Sequence, residues 1–328
     1  MQLFNASQIR DLSREPNVAD THSCNVLGLD LRDQSFSDDE TRVLRQWLMR
    51  QPIPTVGVDQ EESSLAEGLD LVFDDEADCE EIVDIIDTYP KASAVLVQVT
   101  RVTETLPVAS ALTVESLGYA TLQAGQEFAR WLVTHKESKK PGSDFALSDP
   151  VLLERDEELL RITLNTPQNR NALSLLMRDC LSEAFKMVAI DDSIQQVIVS
   201  GAGSCFSAGG DLTEFGDAVD LAEAHRIRQL RMPAQYLAPH ADKYTFNVHG
   251  ACIGAGIEMS AFAEHVTATS DAFFQLPEVA MGLIPGAGGC VSVSRRVGRH
   301  RANLLAISGK KLSAQDALMW GLIDEIVD

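Results

Sequence analysis

From Leu159 onward the chain keeps repeating one unit, a short apolar strand followed by an amphipathic helix. Leu159–Asn165 (LLRITLN) alternates like a strand, and Ser174 is placed to cap a helix whose Met177, Leu181, Ala184 and Val188 recur at three- and four-residue spacing. Gln196–Ser200 (QVIVS) and Thr245–His249 (TFNVH) are further short strands, and helical patterns follow Gly254, Gly288 and Ser313. Ser313 with Asp316 reads as a capping box, and Gly321 lies where that helix should end. Strands alternating with helices require parallel crossover connections and a sheet covered by helices, so the fold class is α/β.

The first 135 residues follow a different pattern. Cys79–Tyr89 reads as a helix with Ile82, Ile85 and Ile86 on one face, and Ala94–Thr100 (AVLVQVT) as a buried strand. That unit aligns without gaps on Glu183–Ser200, 102 residues later, which is compatible with a decayed internal repeat or with any amphipathic helix leading into an apolar strand. Val108–Val133 should be largely helical and amphipathic, with Gly118 and Gly125 as kinks or breaks. Charge, Gly, Ser and Pro interrupt the apolar pattern at 136–150, which therefore reads as a linker between an α/β region at 1–135 and a second unit at 151–328.

Bulk properties exclude several function classes. A net charge of −22 argues against nonspecific binding to nucleic acid or to an anionic membrane surface. Residues 1–150 carry 27 acids and 12 bases, and 151–328 carry 22 and 15, so the excess is concentrated in the first half. Its densest part, Asp59 to Asp87, reads as a solvated face or an acidic docking surface. No run reaches the apolar length of a membrane span, and the opening MQLFNASQIRDL lacks a signal-peptide pattern, so a cytoplasmic protein is expected. The six cysteines form no CxxC pair and the seven histidines are scattered. Reduced thiols and no metal site follow.

Two glutamates carry the chemistry. Glu258 closes His249-Gly-Ala-Cys-Ile-Gly-Ala-Gly-Ile-Glu258, and Glu278 sits in Leu276-Pro-Glu-Val-Ala-Met-Gly-Leu-Ile-Pro-Gly-Ala-Gly-Gly289. Two carboxylates on one site can divide general-acid and general-base work, and the small residues around them let backbone N–H groups approach an oxyanion. A dinucleotide-binding loop is excluded: Gly254-Ala-Gly256 would need glycine at position 259, which is Met, and no acid is placed to hold a ribose. Two more segments belong with these, the polar loop Asn169-Arg-Asn-Ala-Leu-Ser174 and Cys205-Phe-Ser-Ala-Gly-Gly-Asp-Leu212.

In this order the four segments resemble the crotonase superfamily, the enoyl-CoA hydratases and isomerases, over roughly Val151 to Asp328. The resemblance implies a crotonase-like ββα-superhelix core with surrounding helices. It also implies an acyl-CoA substrate, no separate cofactor (coenzyme A being part of the substrate) and a homo-oligomer, trimer or hexamer. By residue, it makes Glu258 the base that activates water and Glu278 the acid that protonates Cα. Ala208 and Ala255 become the oxyanion-hole donors, typically worth about 3–4 kcal/mol each. Arg170, Ala172, Leu173, Gly209, Gly210, Asp211, Leu212, Gly254, Pro277 and Gly286 become substrate or CoA contacts. Two catalytic glutamates are the hydratase pattern; double-bond isomerisation and a non-catalytic CoA-binding subunit are the alternatives.

Family members continue past the position of Asp328 into a helical region that covers the acyl pocket. ESLGYATLQAGQEFARWL, within Val108–Val133, looks like that region. The expectation is that it covers the site from the N-terminal side; a plain interaction domain is the competing reading.

Overall fold

A computed structural model describes residues 2–19, 23–32, 34–59, 63–138 and 149–328. The linker expected at 136–150 lies mostly outside these residues. The N-terminal strands β1 (Leu3–Phe4), β2 (Leu27–Asp30), β3 (Thr55–Val58) and β4 (Leu71–Phe73) form a parallel sheet in that order. Helices α1 (Ala6–Leu12), α2 (Asp38–Leu48), α3 (Glu76–Thr88), α4 (Pro90–Thr103), α5 (Val108–Gln123) and α6 (Gln126–Ser138) follow or intervene. Beyond Pro150 a hairpin of β5 (Val151–Asp156) and β6 (Leu159–Leu164) opens a six-stranded sheet. Its other strands are β7 (Gln196–Gly201), β8 (Tyr244–Val248), β10 (His265–Thr269) and β13 (Glu325–Val327), all parallel from β6 onward. A smaller sheet joins β9 (Ala251–Ile253), β11 (Phe273–Gln275) and β12 (Leu312–Ser313). The helices of this half are α7 (Leu175–Ile190), α8 (Leu221–Arg231), α9 (Ala255–Ser260), α10 (Gly289–Val297), α11 (Arg299–Ser308) and α12 (Ala314–Trp320).

Local signals explain most of these boundaries. Ser174 accepts from the Met177 N–H at 3.2 Å, and α7 buries Met177, Leu181, Ala184 and Val188 as their spacing requires. Ser313 caps α12 by accepting from the Asp316 N–H at 3.1 Å, and the helix ends at Gly321 in the left-handed region. Among the described residues no helix is long and apolar enough to cross a membrane.

One element departs from expectation. Ala94–Thr100 is not a strand; it lies inside α4, which starts with Pro90 and buries Ala92, Leu96, Val99 and Thr103 at helical spacing. Valine enrichment favours strands only weakly, and here packing along one helix face outweighs it. The helix–strand correspondence with Glu183–Ser200 therefore fails at its second half, and with it the repeat reading. The N-terminus of α4 is capped by another helix: Glu127 accepts from the N–H groups of Lys91 at 3.0 Å and Ala92 at 2.9 Å. Gly118, expected as a kink, is an uninterrupted part of α5. A Cβ there would lie 2.8 Å from Val99 Cγ2 and 3.2 Å from Ile284 Cδ1, so the glycine serves close helix packing. The break expected at Gly125 is present, between Gln123 and Gln126.

The two halves share one core. Val56, Val58, Ile82, Leu96 and Leu122 belong to the same buried cluster as Ile162, Phe246, Ile257 and Leu283. A buried ionic node fastens them. Asp70, with no exposed surface, accepts from Arg101 Nε at 2.8 Å, Arg299 Nη1 at 3.1 Å and the Thr55 N–H at 2.8 Å. Arg299 also donates to the carbonyls of Leu69 at 2.6 Å and Glu67 at 2.8 Å. Removing Asp70 leaves Arg101 buried without a carboxylate and Arg299 with only Glu104 at 3.3 Å, which costs far more than the intact node contributes. Asp70→Asn is expected to lower stability by about 3–5 kcal/mol, read as a shift of the urea midpoint at pH 7.

Candidate active site

The two glutamates meet in one cavity of about 370 Å³, together with Gly210, Ala255, Tyr119 and Arg228. Each arrives by a different local device. Gly254 takes a positive φ of 48°, which ends β9 and turns the chain straight into α9, whose first turn carries Glu258. The same glycine makes room for the second carboxylate, because a Cβ there would sit 2.7 Å from Glu278 Oε1. Glu278 follows β11 and starts a single 3₁₀ turn at Val279–Met281.

Glu258 is 2% exposed, and its Oε2 accepts from the N–H groups of Ala287 at 2.7 Å and Gly289 at 2.9 Å. Burial pushes its carboxyl up to about 7, against the pull of the backbone N–H groups at 286, 287 and 289. At Glu278 only its own backbone N–H pulls the other way, and its buried Oε2 has no hydrogen-bond partner among the described residues. Burial first, then the charge of Glu258, holds its carboxyl well above the usual range. Both carboxyls are thus held above the ordinary carboxylate range by burial in one cavity.

A third carboxyl was missed from sequence. Glu115 on α5 is 2% exposed and accepts from the N–H groups of Gly288 at 2.7 Å and Cys290 at 2.8 Å. Burial, then Glu258, raises it well above the ordinary value. The loop entering α10 thus gives alternate N–H groups to two glutamates, one from each half of the chain. The available signal was that Glu115 is the one charged residue between Pro107 and Gln126. One turn further along α5, Tyr119 and Gln123 line the cavity. A Cβ on Gly286 would fall 2.4 Å from Tyr119 Cδ2, so glycine there admits the ring. From α6, Phe128 and Trp131 pack edge-on against Phe215, another cavity residue.

The oxyanion donors need one correction. Ala255 lines the cavity at the first position of α9, and its N–H donates to nothing among the described residues. Ala208 does not serve: its N–H donates to Arg170 O at 2.9 Å and it is not part of the lining. Two residues on, Gly210 lines the cavity with an N–H that makes no hydrogen bond among the described residues. The bridge between Gly210 and Leu173 holds this segment, with the Leu173 N–H donating to Gly209 O at 2.7 Å and the Asp211 N–H to Leu173 O at 3.2 Å.

Among the other expected contacts, Leu173, Asp211 and Gly286 line the cavity. Arg170, Ala172, Gly209, Leu212, Gly254 and Pro277 do not; they stand behind or beside it. Gly209 packs on the opposite side from the ligand space, where a Cβ would meet Ile253 O at 3.0 Å. Arg170 and Asn171 both have positive φ. The buried Asn171 side chain holds that turn, donating to the carbonyls of Ala202, Cys205 and Phe206.

Comparison with known proteins agrees with this geometry. The family model described as enoyl-CoA hydratase/isomerase matches residues 154–328. The 2,3-dehydroadipyl-CoA hydratase of Escherichia coli K12 is 32% identical over 176 residues, 54% of this chain and 68% of that protein. The mitochondrial Δ(3,5)-Δ(2,4)-dienoyl-CoA isomerase of Mus musculus is 31% identical, over 58% of this chain and 62% of that protein. Among solved structures, an enoyl-CoA hydratase from Thermoplasma volcanium is 35% identical with a TM-score of 0.50, covering 55% of this chain and 73% of that one.

The raised Glu258 carboxyl has a sign that stability measurements can read. A buried acid with an elevated native value helps folding while protonated. That contribution is complete below its ordinary value of 4.5 and is lost as pH rises through about 7. The urea midpoint of Glu258→Gln is therefore expected to fall less than that of the wild type between pH 4.5 and 7.

Proposed function

Residues 154–328 place the chain in the enoyl-CoA hydratase/isomerase family, and from that premise we propose that it adds water reversibly across the double bond of a 2-enoyl-CoA thioester. The observation that carries this reading is the meeting of Glu258 and Glu278 in one cavity beside two N–H groups with no acceptor, those of Gly210 and Ala255.

In this reaction the thioester oxygen takes both N–H groups. Electron density then drains from Cβ, and the developing enolate is stabilised by about 3–4 kcal/mol per donor. Glu258 removes a proton from water as its oxygen bonds to Cβ, and Glu278 gives a proton to Cα. The electrostatics support these roles: a base that ionises near 7 is available at neutral pH, and burial favours the protonated form of Glu278. Proton exchange through a further water returns both groups to their starting state. Leu173 and Asp211 border the channel by which the pantetheine would reach the site.

A second reading, double-bond isomerisation, is favoured by the solitary Oε2 of Glu278, which is free to carry one proton between two carbons of the acyl chain. The two reactions separate experimentally. Loss of the conjugated enoyl-thioester absorbance is expected with the wild type on a panel of 2-enoyl-CoAs, rising as pH passes through about 7. Both Glu258→Gln and Glu278→Gln are expected to be slower by about 10²–10⁴. Survival of activity in Glu258→Gln, with loss in Glu278→Gln, would replace hydration by isomerisation.

A further inference from the structure

The cavity is lined by two arginines with different surroundings. Arg178 is tied to its neighbour Asp179, Nη2 to Oδ1 at 2.7 Å. Arg228 forms no ion pair with any carboxylate among the described residues. Its guanidinium lies over the Tyr119 ring, 4.8 Å from the centroid, and all its hydrogen-bond partners are neutral. Nε donates to Ser116 Oγ at 3.0 Å, Nη1 to Gln123 Oε1 at 3.2 Å and Nη2 to Ser116 O at 3.4 Å. A guanidinium has five N–H groups, so one on each Nη remains, the pair from which a fork to a carboxylate is made.

Burial disfavours the charged side chain and pulls the Arg228 value down from that of an ordinary arginine, against the pull of Tyr119 and Glu115, neither of which forms an ion pair with it. Glu115 and Glu258 accept backbone N–H groups from the loop before α10, and Asp211, Glu214, Asp217 and Glu278, which line the same cavity, form no ion pair with Arg228 among the described residues. The rest of this wall is apolar, with Ala224 and Ile227 from the same helix and Met232 just after it. An aliphatic segment fits along such a wall, with one cation beside it to receive a charge.

Building on the acyl-thioester reading above, we propose that Arg228 receives a carboxylate at the far end of the acyl group, making the substrate class an ω-carboxyacyl-CoA. Arg228 is then the residue that sets specificity, and the neutral anchors on α5 fix its plane for a bidentate contact.

The test is equilibrium binding by calorimetry, using saturated acyl-CoAs of four to eight carbons paired by length, one ending in a methyl group and the other in a carboxylate. At one chain length the carboxylate-ended ligand is expected to bind the wild type at least about tenfold more tightly than its methyl-ended partner. In Arg228→Gln that ratio should fall to within about threefold of one, and Arg228→Lys, which keeps the charge and loses the fork, should lie between. Ratios near one in the wild type at every length would overturn the proposal without recourse to any variant. So would an Arg228→Gln protein that weakens free CoA and both acyl series by the same factor, since Arg228 would then hold a CoA phosphate or only pack the wall. Saturated ligands cannot be hydrated, so a failure of the hydratase reading appears separately, as absent turnover with the binding preference intact.

Discussion

The site depends on how one short loop disposes of its backbone N–H groups. Between Gly286 and Cys290 the chain enters a helix, and the N–H groups there have no partner within the helix itself. Glu258 takes those of Ala287 and Gly289, and Glu115 those of Gly288 and Cys290. The interleaving fixes the loop from both sides and holds Glu258 against the cavity. It also requires three carboxyls, counting Glu278, to share a region from which water is excluded. Their raised pKa values follow from that burial and crowding. A carboxyl raised to about 7 is thus a product of packing as much as of residue choice.

The N-terminal half takes part in this arrangement. Helix α5 supplies Glu115 to the loop and Tyr119 and Gln123 to the cavity wall, and it orients Arg228 through Ser116. Helix α6 backs Phe215 with aromatic rings. At the other side of the interface, Asp70 draws Arg101 and Arg299 together between the N-terminal sheet and α11. The halves are joined by a common apolar core and by specific polar contacts, among them the Asp70 node and the Glu115 loop.

Much of the second half was legible because its signals are local. Capping serines, helical spacing and the glycines around Glu258 and Glu278 act over a few residues, and each stands where its pattern indicates. The readings that failed needed information from far along the chain. Ala94–Thr100 has strand-like composition, yet it is a helix because its neighbours in space present one face to cover. Ala208 and Gly210 are two residues apart in one small-residue run; only the hydrogen bond from Ala208 to Arg170 shows which N–H is already used. Glu115 carried a faint mark as a lone charge in an apolar stretch, but its partners lie 173 and 175 residues away. Arg228 carried none, since an arginine on a polar helix is unremarkable until its lack of a counter-ion is seen.

Those long separations bear on how the molecule assembles. Helix α5 is made early in synthesis, and its one glutamate has no buried partner until the loop at 286–290 has been made as well. Contacts that close so late in the sequence raise the contact order and slow the final step of folding. Because the loop that receives Glu115 also receives Glu258, this wall of the cavity is complete only when both halves of the chain are in place. A chain with α5 undocked would lack Glu115 behind the loop and Tyr119 and Gln123 in the wall, so the cavity is a product of both halves of the chain.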